Sequence, residues 1–242
     1  DRLDARRRRR LDGPVSGAAS GPVLQVGDTR IQRVVDFEGP FLDPAEFFHG
    51  FDTRVLVEAR ELGMDVRLVG GLLPMSFHSF VLRTPHGVIV VDTCFGNDKE
   101  RPGRDAGHRA RTDYLDNLRR AGLCPEEVDF VVCTHLHWDH VGWNTRLADG
   151  RWVPTFPNAK YVIARDEYAY WDDLHRRRST SLHTRAFEDS ILPLADAGQL
   201  LRVRGDFELA DGVWLEPAPG HTPGSVVVNV QSGGARAVLS GD

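Results

Sequence analysis

Val131-Val132-Cys133-Thr134-His135-Leu136-His137-Trp138-Asp139-His140 holds the densest chemistry in this 242-residue chain. A short apolar run delivers it, and four candidate metal ligands follow within six positions. In extended backbone, positions i and i+2 share a face. His135 and His137 therefore point one way, while Leu136 and Trp138 point back into protein. If the chain then turns, Asp139 and His140 swing round to an adjacent ligand position. Neutral imidazoles beside carboxylates suit zinc or a similar borderline metal. In a chain of this composition, a chance H-x-H-x-D-H arises on the order of 10⁻³ times. A purely structural zinc site would favour a cysteine-rich set, and this run offers only Cys133. The run reads as a functional metal site.

Outward from that run, the pattern is mostly strands with helices between them. Ser76–Arg83 and Gly87–Asp92 flank Thr84-Pro85-His86-Gly87 and read as a hairpin. Val34–Gly50 reads as a strand entering an irregular segment. Arg109–Ala121 reads as a helix stopped by Gly122. Val128–Cys133 and Ala159–Ala164 read as strands, Arg165–Arg178 and part of Leu182–Ala195 as helices. Gly205–Glu216 reads as a β meander, with Ser225–Val230 and Ala235–Leu239 as two more strands. With no repeat or linker from Val23 onward, residues 23–242 are expected to form one domain.

Residues 1–22 stand apart. They carry Arg6 to Arg10 and a Gly/Ala/Ser/Pro stretch, and this composition reads as a solvated, disordered basic tail. Leu11–Gly21 lacks the apolar core of an export signal. The chain opens on Asp1 and closes on Ser240-Gly241-Asp242 directly after a strand-like run, so it reads as a fragment, incomplete at its C-terminus.

Composition narrows the function classes. The net charge is −5, with 41% hydrophobic and 27% charged residues, an ordinary globular balance. No apolar run approaches the roughly 18–20 residues that span a bilayer, and an acidic chain is a poor general nucleic-acid binder. Cys94, Cys124 and Cys133 are too few and too scattered for a disulfide scaffold. Reduced thiols in a cytoplasmic protein are expected.

The motifs, taken together, resemble the metallo-β-lactamase superfamily. Thr134–His140 resembles its signature, and Val88–Asp92 with Thr93 resembles its apolar strand ending in an Asp-Thr-Gly-like turn, with Cys94 where Gly is common. Pro219-Gly220-His221-Thr222-Pro223-Gly224-Ser225 is similar to its second histidine loop. Ser240-Gly241-Asp242 sits where the family places a metal-bridging aspartate. The resemblance runs from about Ile31 to Asp242, with the motifs in order.

It implies an α+β fold, a four-layer αββα sandwich. It also implies that His135, His137 and His221 bind one metal, that Asp139 and His140 bind a second, and that Asp242 bridges both. A further histidine ligand, and a tyrosine beyond the bridging aspartate, would lie past residue 242, which leaves the second metal one ligand short. Two zinc ions are expected, with iron or manganese as substitutes. The chemistry implied is hydrolysis by a hydroxide held between the metals, with Asp139 or Asp242 as proton acceptor and donor.

Within the superfamily, the text is most like the branch of N-acyl-homoserine lactonases and organophosphate hydrolases. Phe80–Gly87, Val162–Tyr168 and Gly205–Glu208 with Gly212-Val213 carry that likeness. Val141-Gly142-Trp143-Asn144 departs from it, standing where Gly-Gly is usual. The expected reaction is opening of a lactone or similar small ester. A glutathione-thioester hydrolase or an iron-dependent sulfur dioxygenase is the alternative, and a nuclease fits less well. Trp138 and Trp143 flank the ligands and are candidates for the wall of an apolar substrate pocket. Asp92 is expected to order the metal loop from behind. His49, His78, His86, His108, His175 and His183 lack ligand spacing and default to surface or satisfied polar roles, His78 alone being a candidate for pocket proximity. A small-molecule substrate is the expected partner, with no nucleic acid and no membrane, and a homodimer is left open.

Overall fold

A computed structural model describes residues 23–64 and 66–242; the tail reading for residues 1–22 falls outside them. Thirteen strands are described: β1 Leu24–Val26, β2 Thr29–Leu42, β3 Leu73–Thr84, β4 Gly87–Val91, β5 Phe130–Val132, β6 Thr145–Ala148, β7 Arg151–Pro154, β8 Lys160–Ala164, β9 Leu200–Val203, β10 Glu208–Ala210, β11 Val213–Pro217, β12 Val226–Ser232 and β13 Ala235–Leu239. Seven form one sheet in the order β1-β2-β3-β4-β5-β8-β9. Four form a second, β10-β11-β12-β13, and β6 pairs with β7 as a hairpin. Contacts divide the described chain into two compact units, residues 38–64 with 66–75, and residues 23–37 with 76–242, although no linker marks the boundary in the sequence.

The larger unit holds a sandwich core. Leu82, Ile89, Val91, Val132 and Val162 of the large sheet pack against Val213, Leu215, Val226, Val228 and Val230 of the small one. The i, i+2 spacing within β4, β11 and β12 puts these side chains on one face of each strand, and each fully buried Val, Leu or Ile contributes about 1.5–3 kcal/mol. β3 and β4 form the expected hairpin, with Thr84 opposite Gly87. Gly87 has φ 138°, and a Cβ there would meet the Asp129 carboxylate at 2.6 Å, while Val88 N donates to that same carboxylate.

β4, β5, β8 and β9 run parallel. Their C-terminal ends open on one edge, the usual place for a site in such sheets. The loops leaving β4 and β5 there carry Asp92 and His135–His140, and the helix that follows β8 carries Glu167.

Several boundaries differ from the sequence reading. The helix expected from Arg109 spans Tyr114–Arg120. The preceding loop is held otherwise, by the Asn97 side chain bonded to both Thr112 N and Thr112 O and by Arg109 at φ 51°. The helix at Arg165 ends at Arg176, two residues before Arg178 at φ 57°. Leu182–Ser190 and Leu192–Asp196 are separate helices, with Pro193 near the start of the second, where it breaks the ladder of the first. The β6–β7 hairpin and β9 carry too little alternation to show in the sequence. The smaller unit contains helices Pro44–Phe47 and Arg54–Glu61, the first capped by Asp43 through Ala45 N at 2.8 Å. No helix of the described residues is long and apolar enough to cross a membrane.

A buried charge cluster anchors the helix Leu182–Ser190. Arg101 makes a two-pronged bond to Asp189 at 2.7 and 2.9 Å. Lys99 Nζ donates to Thr145 Oγ1 and the Asp189 carbonyl, with the Asp189 carboxylate at 3.3 Å. Burial draws the Lys99 ammonium down to about 7, against the pull of Asp189. The folded chain therefore releases this proton above neutral pH while the unfolded chain keeps it, so this group adds stability as pH rises through that range. Between pH 7 and 8.5, urea midpoints should rise more for the wild-type chain than for Lys99→Met. Parallel pH dependence in both would contradict this.

Candidate metal centre

Asp92 is the first residue past β4 and sits in left-handed backbone at φ 54°, with Cys94 at φ 52°. Such conformations cost of order 1–3 kcal/mol outside glycine. The surrounding bonds maintain them: Asp92 N donates to Val132 O at 2.9 Å, Thr93 N to His140 O at 2.6 Å, and Gly142 N to Cys94 O at 2.7 Å. The β4 turn and the histidine loop are thereby zipped together. The Asp92 carboxylate accepts Thr134 N at 2.8 Å and Thr134 Oγ1 at 2.7 Å, and faces His140 Nδ1 at 2.8 Å. This is the supporting position expected for it.

His135 is 1% exposed. Its Nδ1 faces Thr134 Oγ1 at 3.1 Å, and its Nε2 is buried without a hydrogen-bond partner. The other histidines gather around this ring, their centroids 4.6 Å from its own for His137, 4.8 Å for His221 and 4.1 Å for His140. His221 Nε2 and His137 Nδ1 are 2.8 Å apart. Ligand atoms of His135, His137 and His221 lie within 4.8 Å of one another, as do those of His135, His140 and Asp242. One Asp242 oxygen faces His140 Nε2 at 3.3 Å and His221 Nε2 at 3.6 Å, and so stands between the groups. Gly241, at φ 65°, lets that segment lie on Thr134, where a Cβ would approach the hydroxyl to 2.5 Å.

The donor set fits a metal. Burial, then the neighbouring imidazoles, push His135 far below its ordinary range, and burial with His183 and His221 holds His137 at about 3. Both are neutral at physiological pH, as ligation requires. Burial alone would lower His140, but Asp92 and Asp242 hold it well above its usual value, while the His140 hydrogen bond lowers Asp242.

Asp139 belongs to neither group of convergent ligand atoms. The turn over 138–140 brings His140 back over His135 and leaves the Asp139 carboxylate half-buried, close enough to feel His140, Asp242 and His221, its pKa raised by burial. Trp138 and Trp143 are each 4% exposed and packed into the core. Trp138 stacks on Phe95 at 5.0 Å beneath Gly107, and Trp143 stacks on Tyr114 at 5.4 Å and donates to Asp36. His183, expected to default to a surface or satisfied polar role, is half-buried beside the histidines. Its ring lies 4.0 Å from His137 and 5.4 Å from Trp171, and burial, then Arg104, lowers it to about 4. Its place comes from the helix Leu182–Ser190, which no spacing relative to His135 reveals. His78 stays on β3, beside Ser76 and Phe80. Cys133 Sγ accepts from Asn144 Nδ2 at 3.4 Å; β5 ends at Val132 and the chain bends at residues 134–135, so alternation does not carry through to the histidines.

Residues 76–242 match the metallo-beta-lactamase superfamily, and the chain belongs to it. Among curated relatives, it is 27% identical over 182 residues to the N-acyl homoserine lactonase AiiA of Bacillus thuringiensis subsp. kurstaki, covering 70% of this chain and 64% of that protein. The chain thus spans a little under two thirds of the relatives it matches. Among solved structures, the hydrolase AbOPH of the beta lactamase superfamily superposes with TM-score 0.73 at 22% identity, over 94% of this chain and 75% of that one. The dizinc quorum-quenching lactonase AidC, in complex with N-hexanoyl-L-homoserine, superposes with TM-score 0.68 at 19% identity, over 92% and 74%. These likenesses show the fold: an α+β sandwich of the metallo-β-lactamase type.

Asp92→Asn removes the charge facing His140 and one acceptor from Thr134. Loss of such an outer partner typically weakens metal affinity 10–100-fold, and zinc titration against a chelating dye should show a drop of that size. Unchanged affinity would mean that Asp92 does not support the centre.

Proposed function

We propose that this chain is a metal-dependent hydrolase that opens a lactone or a similar small ester, with His135, His137 and His221 holding one divalent ion and His140 and Asp242 the core of a second position. The observation that carries this is the single Asp242 oxygen facing a histidine of each group, 3.3 and 3.6 Å away. Asp139 completes the second position if its carboxylate turns toward His140. Zinc is the first choice, with iron or manganese as substitutes. Such ions supply Lewis acidity and a nucleophilic water at neutral pH.

The chain's own residues do the rest. Asp242 sits where it can accept a proton from the attacking water and return it to the leaving oxygen. Asp92 keeps His140 oriented. Trp171 and His183, 5.6 and 4.0 Å from the His137 ring, shield that flank from water. The lactonase names of the curated relatives favour N-acyl homoserine lactones as first substrates. The same reading takes a small molecule, not nucleic acid or a membrane, as partner, in a cytoplasmic setting.

The test is a panel of N-acyl homoserine lactones, thioesters, phosphotriesters and β-lactams offered to the zinc-loaded protein. Lactone opening should dominate, stop on chelation, and fall about 10²–10⁴-fold in kcat for Asp242→Asn. Oxygen consumption with the iron form, or thioester cleavage without lactone opening, would overturn the assignment.

A further inference from the structure

Asp92 ties together the His140 side of the centre. The three-histidine side is tied by a residue with no ligand role. Glu167 lies in the first turn of the helix Arg165–Arg176 and is 1% exposed. Its Oε1 accepts hydrogen bonds from Leu136 N at 2.8 Å and Trp171 Nε1 at 2.7 Å. Its Oε2 accepts them from Thr222 Oγ1 at 2.6 Å and Gly224 N at 3.1 Å. Leu136 lies between His135 and His137, and Thr222 directly follows His221. Thr222 is itself held by Ser225, whose hydroxyl is 2.5 Å from its own. Gly224 lies so close to the helix that a Cβ would come within 2.0 Å of Glu167 N.

We propose that Glu167 is the positioning residue of the three-histidine half: one buried carboxylate that sets the separation between the His135–His137 loop and the His221 loop. It touches no ligand nitrogen and takes no part in the chemistry. An acid in a first helical turn ordinarily offsets the helix dipole at the surface. Here all four donors come from protein, and three of them belong to the two histidine loops. The connection is possible because β8 runs parallel to β5 and the helix begins at once after Ala164, which puts its first turn level with Leu136. The inference rests on the reading of these histidines as metal ligands.

Glu167→Gln keeps the shape of the side chain but replaces one acceptor with an NH₂. The Thr222 hydroxyl can rotate to accept from it, whereas the N–H of Leu136 or Gly224 cannot. Zinc titration of the full chain against a chelating dye should show the tightest equivalent weakened 10–100-fold. Thr222→Val should weaken it in the same direction, and Thr222→Ser, which restores the hydroxyl, should return it to the wild-type value. This pair keeps the test open if the Gln variant does not fold. Melting the metal-free proteins separates a merely structural role: a lowered Tm with unchanged zinc affinity, or no difference between Thr222→Val and Thr222→Ser, overturns the proposal. If the wild-type chain itself fails to bind zinc, the metal reading falls first and this inference with it.

Discussion

A carboxylate removed from water must recover its solvation from protein donors. In this chain Asp92 and Glu167 meet that constraint with the backbone and side chains of the histidine loops themselves. Asp92 takes Thr134 twice and faces His140. Glu167 takes Leu136 on one oxygen and Thr222 with Gly224 on the other. A loop that drifted away would leave a buried acceptor unsatisfied, at a cost of about 1–3 kcal/mol or more for a charged group. The histidine positions are therefore coupled to the core through two acids, of which Glu167 also takes Trp171 of its own helix.

The sheets make that coupling possible. Three neighbouring strands, β4, β5 and β8, end at one edge because they are parallel, and they are apolar along most of their length because both faces are covered. Loops leaving that edge can be short. The close approaches show how little room is left: a Cβ on Gly142 would come within 1.8 Å of the Phe95 carbonyl. Of the pair Val141-Gly142, the second position is thus the one where the backbones touch, while Val141 is simply buried side chain. That is why the departure from Gly-Gly at this point is tolerated.

The same packing places the aromatics that flank the ligands in sequence: Trp138 lies on Phe95, and Trp143, in the 3-10 turn Gly142–Asn144, lies on Tyr114. The rings beside His137 come instead from Trp171 and His183, on two helices that follow β8. The cluster of Lys99 and Arg101 about Asp189 fixes the second of these helices to the loop after β4. A side chain more than forty positions from the histidine motif thereby comes to lie against it.

What was legible in the sequence was whatever short-range geometry controls. The β3–β4 hairpin, β8 with its helix, and β12 and β13 follow from alternation and turn chemistry. The spacing of His135 and His137 marks them as a pair, but β5 ends at Val132 and the chain bends at residues 134–135, so the bend and not alternation separates Cys133, beside Asn144, from the histidines. The joining of His221 and Asp242 to that pair was legible only through the resemblance of their motifs. Tertiary structure decided the rest, because the deciding partners are distant in the chain and ordinary in type. Glu167 looks like any acid at a helix start until the His221 loop closes over it. His183 looks like a surface histidine until its helix docks. The turn at 138–140 brings the His140 ring over His135, while Asp139 stays outside both groups of convergent ligand atoms. Local spacing fixes which way a side chain leaves its own strand, but only the packing of loops from three parallel strand ends fixes what it meets.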